Sequence, residues 1–182
     1  VNLDQWTITN AETQAILDNW QFTNISESRC IYMSEHKLFK AVIQNSYFND
    51  TVIKFSNSLY SHNSDGSCIL CHKSGNIEVT SCHFTNALAY GSGGAIYAES
   101  QSIDIKHSTF INCHTADNSD DYKGGAIYID SIQATVYEYL EGNIFENCSS
   151  TFSGGALFIY CRDVNKTSPN YNYTHDNPYQ LY

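Results

Sequence analysis

Gly93-Gly94-Ala95-Ile96-Tyr97, Gly124-Gly125-Ala126-Ile127-Tyr128 and Gly154-Gly155-Ala156-Leu157-Phe158 are three copies of one phrase. Ahead of each stands a second phrase: Phe84-Thr85-Asn86, Phe110-Ile111-Asn112-Cys113 and Phe145-Glu146-Asn147-Cys148. Two linked motifs returning about every 30 residues indicate a repeat architecture, in which stacked units bury a core that no single unit closes alone. Reading outward, Cys30-Ile31-Tyr32 and Cys68-Ile69-Leu70 fill the Ala-Ile-Tyr place, with Cys as another small apolar residue. Phe22-Thr23-Asn24 and Phe48 supply their partners, although Phe48 is followed by Asn49-Asp50 and Phe55-Ser56-Asn57 competes for its place.

The small residues 30, 68, 95, 126 and 156 are 38, 27, 31 and 30 apart. From each of them to the next Phe the distance is 18, 16, 15 and 19, whereas from each Phe to its own small residue it is 8, 20, 11, 16 and 11. One segment is therefore fixed scaffold and the other a loop of variable length. The fixed segment alternates apolar and polar residues at period two, as in Ile77-Glu78-Val79 and Ile103-Asp104-Ile105, which predicts short strands. Ala15 and Leu17 stand at the same offsets before Phe22, and Ala41 and Ile43 before Phe48. Asn19 and Asn45, each three residues before a Phe, predict a stacked corner with left-handed backbone. The fold expected is all-β: a right-handed, single-stranded parallel β-helix (a β-solenoid) of about five coils. Residues 15–161 form the repeats, 1–14 an N-terminal cap or partial coil, and 162–182 an irregular C-terminal cap or linker. The start, Val1-Asn2-Leu3-Asp4, has no initiator Met and no signal-peptide pattern, as expected of a piece of a longer chain.

Two columns are expected inside. Ala95, Ala126 and Ala156 should stack with Cys30 and Cys68, each preceded in the clear copies by a glycine pair (Gly93-Gly94, Gly124-Gly125, Gly154-Gly155) that turns without Cβ crowding. Phe22, Phe84, Phe110 and Phe145 should form an aromatic stack, with Asn86, Asn112 and Asn147 at the corner behind it. For Asn24 and Asn147 the corner suggests a buried amide.

Composition narrows the function. Nine basic residues against nineteen acidic give a net charge of −10, and the arginines are only Arg29 and Arg162, so no surface tracks phosphate or anionic lipid. Neither nucleic acid nor the membrane is an expected partner, and no apolar run approaches a membrane-spanning length. The seven cysteines leave two readings open. Cys113 and Cys148, each following a Phe-x-Asn, fit an oxidised staple between adjacent coils or a column of small buried thiols. Cys68-Ile69-Leu70-Cys71 with His72 resembles a zinc motif, but residues three apart on a strand should face opposite ways. Asp117, Asp120 and Asp121 read as a solvated acidic loop with calcium as the alternative. Of five N-glycosylation sequons, those at Asn165 and Asn172 are the expected acceptors. Glu78 over Asp104, with Lys106 nearby, is a stacked carboxylate pair of the kind sugar-cleaving enzymes use, and also of the kind any solvated β-face produces. No P-loop, nucleophile elbow or dinucleotide fingerprint occurs, so no catalytic residue, cofactor or metal is assigned.

Phe-x-Asn followed by Gly-Gly-Ala-Ile-Tyr resembles the paired repeats of the polymorphic outer membrane proteins of chlamydiae and of similar surface proteins in parasitic protists. The family writes its motifs Phe-x-x-Asn and Gly-Gly-Ala-(Ile/Leu/Val). The second is matched at 93–96, 124–127 and 154–157, and the first only in shortened form, over residues 15–161. The resemblance implies an extracellular β-helical adhesin that meets a protein receptor or glycan and carries no defined catalytic residue. A carbohydrate-active enzyme or glycan-binding spike, and an intracellular structural component, are the alternatives. Segments 49–65 and 113–123 depart furthest from the repeat and are where recognition is expected.

Overall fold

The period-two runs become strands, and the corners between them recur in register. The computed structural model describes residues 6–8, 14–34, 40–54, 64–116, 122–131, 138–161 and 179–180. Within them the structure is β throughout, in three parallel ladders. The first stacks β1 (Trp6–Ile8), β4 (Ile31–Ser34), the first half of β7 (Ile69–Thr80), the first half of β9 (Ile96–Lys106), β12 (Ile127–Ser131) and β15 (Leu157–Cys161). The second stacks β2 (Gln14–Asp18), β5 (Lys40–Gln44), the second halves of β7 and β9, and β13 (Glu138–Glu141). The third stacks β3 (Gln21–Ser26), β6 (Tyr47–Ile53), β8 (His83–Ala89), then β10 (Thr109–Ile111) and β11 (His114–Thr115), and β14 (Ile144–Glu146). The long strands β7 and β9 merge the first two ladders into one sheet, with a register shift between His72 and Ser74. β16 (Tyr179–Gln180) alone pairs antiparallel, on β15. Stacked parallel ladders built from successive turns of the chain are the architecture of a β-solenoid.

The small-residue column is in register throughout. Ile31, Ile69, Ile96, Ile127 and Leu157 pair in sequence, which places Cys30, Cys68, Ala95, Ala126 and Ala156 one above another. Amides run up the column: Cys68 donates to the Ala95 carbonyl at 3.0 Å, Ala95 to Ala126 at 2.9 Å, and Ala126 to Ala156 at 2.8 Å. The first four are fully buried, and Ala156 is half-buried. Across the interior lies the aromatic column. Phe22, Phe48, Phe84, Phe110 and Phe145 stack with centroids 4.9, 4.7, 4.7 and 5.0 Å apart and planes within 12°. The place contested by Phe55 belongs to Phe48, because β6 pairs with both β3 and β8 through it.

Two corners repeat a left-handed residue in each turn of the chain. Three before each Phe stand Asn19, Asn45, Ser81, His107 and Gly142, with φ of 59°, 50°, 53°, 51° and 63°. Ser and His occupy this region because the stack above and below fixes the backbone. The next position forms a polar spine: the Trp20 amide donates to Ser46 Oγ at 3.1 Å, the Cys82 amide to Ser108 Oγ at 3.1 Å, and the Ser108 amide to Asn143 Oδ1 at 3.0 Å. Buried corner amides are thereby satisfied, as burial requires.

Candidate functional site

The second corner, two residues after each Phe, is an outward ladder of four asparagines and one aspartate, with Asn24, Asn86 and Asn147 exposed and Asp50 and Asn112 half-buried. Asn24, Asp50, Asn86, Asn112 and Asn147 have φ of 56°, 53°, 54°, 52° and 51°. Asp50 therefore occupies the asparagine place of its repeat, which Asn49 had obscured. In this geometry the side chains leave the core and bond along the stack. Asn147 Nδ2 donates to Asn112 Oδ1 at 2.6 Å, Asn112 Nδ2 to Asn86 Oδ1 at 3.0 Å, and Asn86 Nδ2 to Asp50 Oδ1 at 2.8 Å. Asn49 Nδ2 donates to the other Asp50 oxygen at 2.7 Å. The expectation of a buried amide at Asn24 and Asn147 is corrected: both are exposed. The left-handed corner buries the following residue, as at Ala87 and Cys113, and turns the asparagine outward.

Beside the ladder runs a second outward column, Val52, Leu88 and His114, aligned by strand register and continued by Ser149. Together Asp50, Val52, Asn86, Leu88, Asn112, His114 and Asn147 line a groove of about 540 Å³. His114 Nδ1 lies 2.8 Å from Ser149 Oγ. A neutral amide has two N–H donors and two acceptor lone pairs, and the ladder engages one of each on Asn112. The corners repeat at the strand spacing of about 4.8 Å.

The paired glycines divide by role. Gly93, Gly124 and Gly154 hold φ of 68°, 67° and 74°, and Gly66 joins them at 55°. Gly94 and Gly125 have ordinary φ, but a Cβ on either would strike the carbonyl of the next copy's second glycine, Gly125 or Gly155. Ser67 replaces that second glycine in the Cys68 repeat, and its hydroxyl donates to the Gly94 carbonyl at 2.7 Å.

Glu78 and Asp104 are register neighbours on the outward face of the second ladder. Each meets a lysine: Lys40 Nζ at 2.6 Å from Glu78 and Lys106 Nζ at 2.8 Å from Asp104. Lys40 was not anticipated, although it occupies an outward place of β5. Of a second set of ionisable groups, only His72 was singled out from the sequence. His72, Glu99, Asp130 and Tyr160 are register neighbours on the first ladder. Glu99 and Asp130 are buried, and His72 Nδ1 lies 2.7 Å from Glu99. Two residues earlier, Tyr97 stacks on Tyr128 and Tyr128 on Phe158 at 4.9 and 5.4 Å. Burial, then the charge of Asp65 and its other acidic neighbours, pushes the Tyr97 phenol far up, so it stays protonated. The signal was a fixed offset of four from the small-residue column, but alternation alone assigns that column to solvent.

Among the described residues Cys30, Cys68, Cys71, Cys82 and Cys113 are buried and Cys148 is half-buried. Cys68 and Cys71 both belong to the core, so the expectation that they face opposite sides is corrected: Cys68 precedes β7 at a bend, and alternation begins after it. Among the described residues no group of three His, Cys, Asp or Glu could hold a metal ion. Cys68 Sγ lies 3.0 Å from the buried hydroxyl of Thr51, which in turn lies 2.9 Å from Ser67 Oγ. Asp117, Asp120, Asp121, Asn165 and Asn172 lie outside the described residues, as do 55–63 of the segment 49–65 and 117–121 of the segment 113–123. Among the described residues no helix is long and apolar enough to cross a membrane. Comparison of the chain with protein-family models, curated proteins and solved structures returns no match.

Proposed function

We propose that this chain is a non-catalytic, right-handed parallel β-helix of about five coils that acts outside the cell as an adhesive scaffold. Its binding face is the groove along Asp50, Asn86, Asn112 and Asn147, and its ligand class is a glycan. The observation that carries the reading is the outward amide ladder itself. Repeated donors and acceptors, beside the apolar Val52 and Leu88, suit a hydroxyl-rich ligand with apolar ring faces. The net charge of −10 favours neutral glycans over acidic ones. The resemblance to chlamydial and protist surface repeats supports the same compartment. The carbohydrate-active alternative rests on Glu78 over Asp104, whose lysine partners fit a solvated ion-pair face.

A neutral-and-acidic glycan array, followed by titration calorimetry on the best binder, tests the proposal. Asn112→Gly keeps the left-handed corner while deleting the middle amide, and should weaken binding at least tenfold with unchanged circular dichroism. An unaltered affinity for Asn112→Gly, or a parent protein that binds no glycan, would refute the groove. Polysaccharide turnover abolished by Glu78→Gln would replace it with the enzyme reading.

A further inference from the structure

We propose that Cys113 and Cys148 form a redox-active pair that closes to a disulfide and staples two successive strand layers. Register places them face to face: Phe110 pairs with Phe145 and Ile111 with Glu146 before them, and His114 pairs with Ser149 after them. Backbone bonds lock this alignment, from the Asn112 amide to the Glu146 carbonyl at 3.0 Å and from the Ser149 amide to the Cys113 carbonyl at 3.1 Å. Stacked strands about 4.8 Å apart bring Cα atoms within the roughly 4.4–6.8 Å that a disulfide spans. Both thiols point inward, Cys113 Sγ toward the Phe84 carbonyl at 3.7 Å and Cys148 Sγ toward the Phe110 carbonyl at 3.4 Å.

Access selects this pair over the other stacked one. Cys30 and Cys68 are also register neighbours, but both are sealed, and the Cys68 sulfur is engaged by Thr51. Cys148 is half-buried, whereas Cys30, Cys68, Cys71, Cys82 and Cys113 are buried. The influence of each thiol on the other, the largest cause of both shifts, lowers the Cys148 thiol to about 7 and raises that of Cys113. Cys148 is thus the attacking group and Cys113 the resolving one.

The oxidant is a small-molecule disulfide, RSSR. The Cys148 thiolate attacks one sulfur of RSSR, forming Cys148–S–SR and releasing the first RS⁻, which takes up the proton lost by Cys148. With the Cys148 charge gone, Cys113 gives up its proton and its sulfur attacks Cys148 Sγ, expelling the second RS⁻, which leaves as RSH. The protein loses two electrons and two protons, and RSSR gains both as two RSH.

The test incubates the folded chain with oxidised glutathione, quenches in acid, denatures, alkylates and weighs the product. Alkylatable thiols should fall from the seven of the sequence to five, with a non-reducing digest yielding a Cys113–Cys148 linked peptide. Cys113→Ser should stop at one glutathione on Cys148, and Cys30→Ser should still form the link. Retention of all seven thiols in the parent protein would overturn the proposal. So would a linked peptide joining other cysteines, or a parent that holds glutathione on Cys148 unresolved. The parent result decides even if a variant fails to fold.

Discussion

Phe110→Ala removes the ring at the most regular point of the aromatic column. Phe110 is fully buried and stacked on both faces, with Phe84 at 4.7 Å and 2° and Phe145 at 5.0 Å and 12°. Truncating a core Phe costs about 3–5 kcal/mol, and each lost stacked pair is worth about 0.5–1.5 kcal/mol beyond buried area. Both neighbours are themselves held by strand pairing, so the cavity cannot collapse and the cost falls near the upper end, about 4–5 kcal/mol. Phe110→Leu restores most of the volume and loses the two ring pairs, about 1–3 kcal/mol. Phe22, with one stacked Phe and a Trp20 ring at 6.1 Å, should cost about 3 kcal/mol on truncation. The assay is urea unfolding followed by circular dichroism, with the m-value checked in each variant because repeat folds lose cooperativity when one layer weakens. A loss below about 1 kcal/mol for Phe110→Ala at unchanged m, or equal losses at Phe22 and Phe110, would refute the stacked column.

Two further outcomes follow from the same register. Gly94→Ala and Gly125→Ala should each cost about 3 kcal/mol in urea unfolding, because the new methyl meets backbone carbonyls that cannot move; Gly155→Ala meets nothing within 4 Å and should be neutral or gain up to about 1 kcal/mol. Iodoacetamide should label Cys148 ahead of Cys30, Cys68, Cys71, Cys82 and Cys113, its rate rising with pH and reaching half-maximum near pH 7 as the thiolate forms, because the Cys113 thiol stabilises that charge; a midpoint at the free-thiol value would mean the two sulfurs do not touch.

Much of the interior was legible because each interior place accepts a narrow set of residues. The small column admits Ala or Cys, the ring column Phe, and the strand before it Ala, Leu, Val or Ile, so spacing alone recovered Cys30 through Ala156 and placed Phe48 as a candidate. The outward residues were less legible. At the amide corner Asn suits a buried turn or an exposed one, and only the backbone direction after Phe110 settles that Asn112 turns outward while Cys113 turns in. Glu99 and Asp130 sit on an outward column by alternation yet are buried, which depends on contacts that strand periodicity does not encode. Thr51 shows the converse: a polar residue in an apolar column, satisfied by Ser67 and Cys68 from another turn of the chain. Lys40 and Glu78 are 38 positions apart in sequence, and their pairing follows only from knowing which turns are adjacent.

The central claim is the order of the stack, and ring-to-ring nuclear Overhauser effects on selectively Phe-labelled protein test it most directly. Contacts should connect Phe22 to Phe48, Phe48 to Phe84, Phe84 to Phe110 and Phe110 to Phe145, with none that skip a member. A contact between Phe22 and Phe84 without Phe48, or rings with no mutual contacts, would contradict the parallel stacked register on which the rest depends.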